Sequence, residues 1–177
     1  MSFFRPLEWV RFSWDPSVAS SAGTAVDSLL TLRDAEESDQ DGLRKAVQSG
    51  LLLDPEWKHD LPAILRTITA RLDRLHSDAD NHCTVVCHGK RVIAMSLMDA
   101  RAESPGHLVS GPLVLPEYRN RGIGSALLRA SLAELAVRGV AQARGLVPRN
   151  SLAARFVYPK YGGVAEECPG PPLETAA

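Results

Sequence analysis

The sequence predicts an α/β fold in which one sheet carries helices on both faces. Three observations lead there. Strand-length apolar runs such as CTVVCH and RVIAMSLM recur; leucine and isoleucine recur elsewhere at helical spacing; and the stretch LVLPEYRNRGIGSALL, Leu113 to Leu128, passes from a buried-strand pattern to an apolar helix through two arginines and two glycines. The predicted order is β-α-α-β-β-β-α-β-α-β, preceded by an N-terminal arm.

In that arm Val10, Phe12 and Trp14 alternate with Trp9, Arg11 and Ser13, the period of a half-buried strand. The small-residue stretch PSVASSAGTA reads as a linker, which divides the chain into an arm of residues 1–27 and a domain of residues 28–177. SLLTLR is a short strand. SDQDGLRKAV opens a helix, with Ser38 placed to cap it ahead of Leu43, Ala46 and Val47. Leu61, Ile64, Leu65, Ile68, Leu72 and Leu75 line one stripe of a second helix. Gly89 and Lys90 join CTVVCH to RVIAMSLM as a β-hairpin. The strand from His107 to Leu115 contains Gly111 and Pro112, and a proline cannot donate to a sheet ladder, so a bulge or splay is expected there.

The helix from Gly122 to Arg138 is apolar on two stripes, one through Leu127, Leu128, Leu132 and Leu135, the other through Ile123, Ala126, Ala130, Ala133 and Val137. Gly139 ends it, and Glu134 and Arg138 stand in the favourable i, i+4 order. VAQARGLV is a strand, SLAARFVY a helix, and YGGVAEE leads into a last strand.

Composition excludes several classes of function. With 177 residues and 45% apolar content the chain suits a single core. A net charge of −1, from 20 basic and 21 acidic residues, provides no global field for nucleic acid or an acidic membrane surface. Cys83, Cys87 and Cys168 have neither zinc-ligand nor disulfide-framework spacing, so no metal site is expected and a reducing compartment fits. No apolar run approaches the roughly 20 residues of a membrane span, and the start lacks a signal-peptide pattern, so a cytoplasmic location is expected.

The junction inside LVLPEYRNRGIGSALL points to anion chemistry. Gly122 and Gly124 bare the backbone where the chain enters a helix, so its first N–H groups can approach a ligand; Arg119 and Arg121 add positive charge. Phosphate or pyrophosphate is the natural guest, although a glycine-rich turn can also be only a tight connection. Neither the dinucleotide G-x-G-x-x-G nor the P-loop pattern is present.

The stretch closely resembles the Q/R-x-x-G-x-G/A acyl-CoA motif of the GNAT superfamily of N-acetyltransferases, with Arg119, Gly122 and Gly124 in its defining positions. SLAARFVYPKYGG is similar to the family's later N-x-x-A-x-x-L-Y-x-K-x-G-F helix, with Ser151 in the Asn position, then Ala154, Val157, Tyr158, Lys160 and Gly162. Gly163 stands where the family has Phe, and Pro159 ends or bends the helix just after the tyrosine.

The resemblance implies a mixed, mostly antiparallel central sheet flanked by helices, with splayed strands forming an acyl-CoA cleft. It implies acetyl-CoA as cosubstrate, its pantetheine bonded by the backbone of Leu113, Val114 and Leu115, and its pyrophosphate on the amides of Arg121, Gly122, Ile123, Gly124 and Ser125. Arg119 and Ser151 join this set. A small-molecule or peptide amine would attack the thioester directly, and Tyr158 would protonate the departing thiolate, whereas a helical tyrosine otherwise serves packing. The base is open: His107 is the only titratable group on its strand face, and Glu103 and Glu117 lie in flanking loops. Asp54 to Asp60, DPEWKHD, falls at the family's acceptor wall, where Trp57, His59 and Asp60 either meet an amine or cap the second helix. A noncatalytic acyl-CoA-binding domain is the competing class. Finally, GNAT domains commonly end in a strand pair, yet PGPP follows the last strand, so the segment Glu8 to Trp14 is expected to supply a strand or cover an edge, within a monomer or across a homodimer.

Overall fold

The structure is a computed structural model that describes residues 9–21, 26–52 and 61–168. Its strands are β1 (Trp9–Trp14), β2 (Leu30–Asp34), β3 (Asn81–His88), β4 (Arg91–Asp99), β5 (Leu108–Val114), β6 (Ala143–Pro148) and β7 (Val164–Cys168); its helices are α1 (Gln40–Leu52), α2 (Leu61–Asp73) and α3 (Ile123–Val137). The strands form one seven-stranded sheet in the order β2-β3-β4-β5-β6-β1-β7. Every pairing is antiparallel except β5 with β6. α1 packs with α2 and lies against β4 and β5, while α3 lies against β3, β4 and β5 and is covered by the 3-10 segment Pro16–Ser21. The predicted mixed sheet flanked by helices is the observed architecture.

The N-terminal strand is internal. β1 pairs with β6 from Trp9↔Pro148 to Trp14↔Ala143, and with β7 from Trp9↔Cys168 to Ser13↔Val164, all within one chain. Val10, Phe12 and Trp14 are buried as their alternation requires, and Trp9 is buried as well. Placing the strand between two others satisfies both rows of backbone donors and acceptors, which an edge strand cannot do.

The splay at β5 has a visible cause. Leu97 faces Gly111, but its neighbour Met98 faces Leu108, so Val109 and Ser110 bulge out of the ladder. The Ser110 hydroxyl accepts the Leu97 N–H at 2.9 Å and donates to the Gly111 carbonyl at 2.7 Å, replacing the bonds the bulge removes. Beyond it β5 and β6 share one pair among the described residues, Leu108↔Gly145, and then separate.

Three local expectations need correction. α1 is entered through a 3-10 turn, Glu37–Asp39, in which the Asp39 carboxylate accepts the Glu36 N–H at 2.8 Å and takes a two-pronged bond from Arg33 at 2.6 and 3.0 Å; Ser38 is not the cap. A salt-bridged carboxylate anchors the turn more strongly than a serine hydroxyl. Val137, read as part of the second apolar stripe, is exposed at the last turn of α3. The expected helix SLAARFVY is a single π-helical turn, Ala153–Val157, closed by the Tyr158 N–H on the Ala153 carbonyl at 2.8 Å; Pro159 follows and prevents its extension.

Candidate active site

The gap between β5 and β6 opens into a cavity of about 460 Å³. One wall is the free edge of β5 at Ser110, Pro112, Leu113 and Val114; another is the π turn with Leu152, Phe156 and Val157; α3 meets it end-on. Gly50 of α1 reaches it beside Leu113.

Where α3 begins, Asn120 and Gly122 have positive φ, +60° and +76°, turning the chain sharply into the helix. The first helical bond shown here runs from the Ala126 N–H to the Gly122 carbonyl, at 3.0 Å. The amides of Ile123, Gly124 and Ser125 precede it and have no helical partner. All three residues line the cavity, so bare amides and the positive end of the helix face its interior. A Cβ on Gly124 would project between Val157 and Val114, 3.4 and 3.8 Å from their methyls, so a larger side chain would fill the passage.

Two cations frame this end. Arg119 donates to the carbonyls of Val114 and Gly50 at 3.2 and 3.4 Å, tying α1 to the rim. Lys160 Nζ lies 2.6 Å from Ser125 Oγ on the other side. Both line the cavity.

Tyr158 closes the deep end. Its ring lies across the splay between two glycines: a Cβ on Gly111 would overlap the phenol hydroxyl, and one on Gly145 would come within 3.2 Å of the ring. Gly111 holds φ +59°, which admits the hydroxyl against bare backbone. Burial pushes the phenol's pKa up, so it stays protonated through the neutral range. The hydroxyl makes no hydrogen bond to any described residue, and the side chain lines the cavity.

A family model described as an acetyltransferase (GNAT) domain matches residues 79–162, from the start of β3 to the turn after Tyr158. The matched stretch, just under half of the chain, is similar to a GNAT acetyltransferase domain. Solved structures agree on the fold. A Drosophila protein superimposes with a TM-score of 0.67 at 16% identity, over 92% of this chain and 49% of its own. A GCN5-related N-acetyltransferase from Sphaerobacter thermophilus gives 0.60 at 16%, over 92% and 50%. A GNAT-family protein from Novosphingobium aromaticivorans gives 0.55 at 18%, over 92% and 61%. The chain thus spans about half to three-fifths of the length of these three. No curated protein matches it.

The residues expected to hold the cofactor divide. Leu113, Val114, Arg119, Gly122, Ile123, Gly124 and Ser125 line the cavity. Leu115 is buried beside it, its N–H held by the Ile93 carbonyl at 3.0 Å. Arg121 is exposed, donates to the Glu117 carbonyl at 3.2 Å and lies 5.4 Å from the centre of the Tyr118 ring. Ser151 is buried and caps the π turn, its hydroxyl accepting the Ala154 N–H at 3.2 Å. Neither of the last two lines the cavity.

The structure brings none of the three base candidates to the cavity, and Glu103 is exposed in the turn before β5. His107 is fully buried at the start of β5: its Nδ1 accepts the Arg144 N–H at 3.1 Å, its Nε2 has no partner among the described residues, and burial and the neighbouring Arg144 both lower its pKa. Glu117 is exposed and ion-paired with Arg91 at 2.7 Å, its pKa lowered by its own backbone N–H and by that arginine. Among the described residues lining the cavity there is no Asp, Glu or His. The segment Asp54 to Asp60 lies outside the described residues. Sequence reasoning gave no role to Lys160, Tyr118 or Phe156, all in the lining; Lys160 at least was signalled by its place two residues after the motif tyrosine.

Proposed function

We propose that this domain transfers an acetyl group from acetyl-CoA to a primary amine by direct attack. The observation that carries the reading is the splay itself: one continuous cavity joins the bare amides of α3 to the Tyr158 phenol along an unpaired strand edge. An anion belongs at the first end, so the cosubstrate's pyrophosphate is assigned to the amides of residues 122–125, with Arg119 and Lys160 beside them. The edge of β5 at Leu113 and Val114 offers backbone to the pantetheine amides, and the thioester then reaches toward Tyr158. The amine nitrogen bonds to the acetyl carbon, the carbon–sulfur bond breaks, and the thiolate takes the phenol's proton. The nitrogen's surplus proton passes to water and the phenol is reprotonated from solvent, so no covalent enzyme intermediate is required.

The lack of any carboxylate or histidine in the described lining favours a second reading, a noncatalytic acyl-CoA-binding domain. Two measurements separate the outcomes. Calorimetry with CoA should show binding in the native protein and at least about tenfold weaker binding in Gly124→Asp, whose carboxylate would stand against the phosphates. Unchanged affinity in folded Gly124→Asp rejects the anion assignment. Thiol release from acetyl-CoA with a panel of small amines, amino sugars and peptides should exceed the amine-free rate; CoA binding without turnover would select the second reading.

A further inference from the structure

We propose that Phe12 and Trp14, on the N-terminal strand, are positioning residues of the acetyl-transfer site, holding the Tyr158 phenol at the mouth of the β5–β6 splay. The inference rests on the reading of Tyr158 as proton donor and extends it to a segment that lies outside the residues matched by the family.

Tyr158 needs external support because its own element is short. The π turn is one turn long and Pro159 ends it, so the backbone alone cannot fix the ring. β1 supplies the support. The Phe12 ring meets the Tyr158 ring edge-on with centroids 5.5 Å apart, and the Trp14 ring does so at 5.2 Å. Phe12 and Trp14 stack on each other at 6.0 Å, making one aromatic wall. The Trp14 Nε1–H donates to the Lys160 carbonyl at 3.1 Å, pinning the wall to the chain two residues beyond the tyrosine. Gly145 lies against the flank of the ring and Gly111 against its hydroxyl end, and the side chain lines the cavity.

Gly163 leaves room for the wall. It stands where the motif has Phe, and a Cβ there would overlap the Tyr158 carbonyl and come within 2.6 Å of the Trp14 indole nitrogen. Trp14 therefore occupies space beside Gly163 that a side chain at that position would contest. Aromatic residues from the other end of the sequence pack the tyrosine in this chain.

Water is excluded from the phenol by this wall, and burial alone raises its pKa; no charged side chain of β1, β5 or β6 contributes. Opening the wall should therefore ease ionisation of Tyr158 and loosen its aim together. Only three tyrosines are present, so the ultraviolet tyrosinate band of the native protein minus that of Tyr158→Phe isolates the titration of Tyr158. In Phe12→Leu and Trp14→Leu this titration should move down toward the ordinary tyrosine value of about 10. With an amine found by thiol release, kcat should fall about 10- to 100-fold while KM for acetyl-CoA stays within about twofold, and Trp14→Phe, which keeps a ring in place, should recover most of the loss. An unmoved titration in the folded leucine variants overturns the proposal, as does a loss confined to KM or a Trp14→Phe protein as slow as Trp14→Leu. If one leucine variant fails to fold, the other decides. The titration needs no acceptor, so absence of turnover in the native protein would reject the proposed activity while the aromatic wall is still judged by the tyrosinate band.

Discussion

At the scale of single residues the two tyrosines of the YPKY segment separate by backbone geometry. Tyr158 has helical φ and ψ and is directed into the splay, whereas Tyr161 adopts φ +58° and donates its hydroxyl to the Ser125 carbonyl at 3.2 Å, on the flank of α3. Tyr158→Phe is expected to lower kcat about 10- to 1,000-fold with CoA affinity nearly unchanged, and Tyr161→Phe to leave kcat near that of the native protein. The pH profile supplies the sign. Because burial raises the phenol's pKa, activity lost by its deprotonation belongs above the ordinary tyrosine value of about 10, and Tyr158→Phe should lack that alkaline limb. A thiol-release assay across pH checks both. Tyr158 was legible in sequence because it stands in a local motif with its lysine and glycine. Its partners were not. Phe12 and Trp14 are more than 140 positions away, and strand alternation announces burial without saying against what. His107 was legible as a titratable group on the right strand, but nothing local revealed that it lies at the paired end of β5, where Leu108 meets Gly145, rather than in the gap.

At the scale of elements, β5 shows how a strand is made to part from its neighbour. Gly111 and Pro112 foretold an interruption, since one tolerates positive φ and the other lacks a donor. The rescue by Ser110 was not foreseeable, because it depends on the Leu97 N–H of another strand meeting the Ser110 hydroxyl where the register shifts. Gly111 has two constraints that act together, its φ of +59° and the Tyr158 hydroxyl lying where a Cβ would be. Gly111→Ala is therefore expected to destabilise the fold by about 1–3 kcal/mol and to move the phenol out of the splay. Chemical denaturation would measure the first effect and loss of thiol release the second. A variant as stable and as active as the native protein would show that the bulge adjusts freely. The π turn teaches the converse lesson: its apolar spacing reads as a helix, and Pro159 marks where it stops, but the change from α to π hydrogen bonding leaves no signature in residue type.

At the scale of the whole molecule the sheet is closed by a strand from the wrong end of the sequence. The need for such a strand could be read from PGPP after the last strand, and its identity from the alternation in Trp9–Trp14, but not its place. The register shows why that place is decisive: among the described residues β1 is the only link in the sheet between β6 and β7. A chain beginning at Ser28 would leave β6 with an unpaired edge, strip β7 of its partner and uncover Tyr158. It would also remove three buried aromatic side chains, Trp9, Phe12 and Trp14, from the core. Truncating even one large core side chain costs about 3–5 kcal/mol, against a total stability of about 5–15 kcal/mol for an ordinary domain. The shortened chain is thus expected to lose cooperative thermal unfolding or to associate through the exposed edge of β6. A synthetic peptide of residues 1–21 added in trans should bind the shortened chain and restore part of the melting transition, because the groove between β6 and β7 has the hydrogen-bonding pattern of a missing antiparallel strand. Scanning calorimetry and light scattering read both effects. A chain from Ser28 that melts at the native temperature as a monomer, with no response to the peptide, would mean that the strand only decorates a sheet that stands without it.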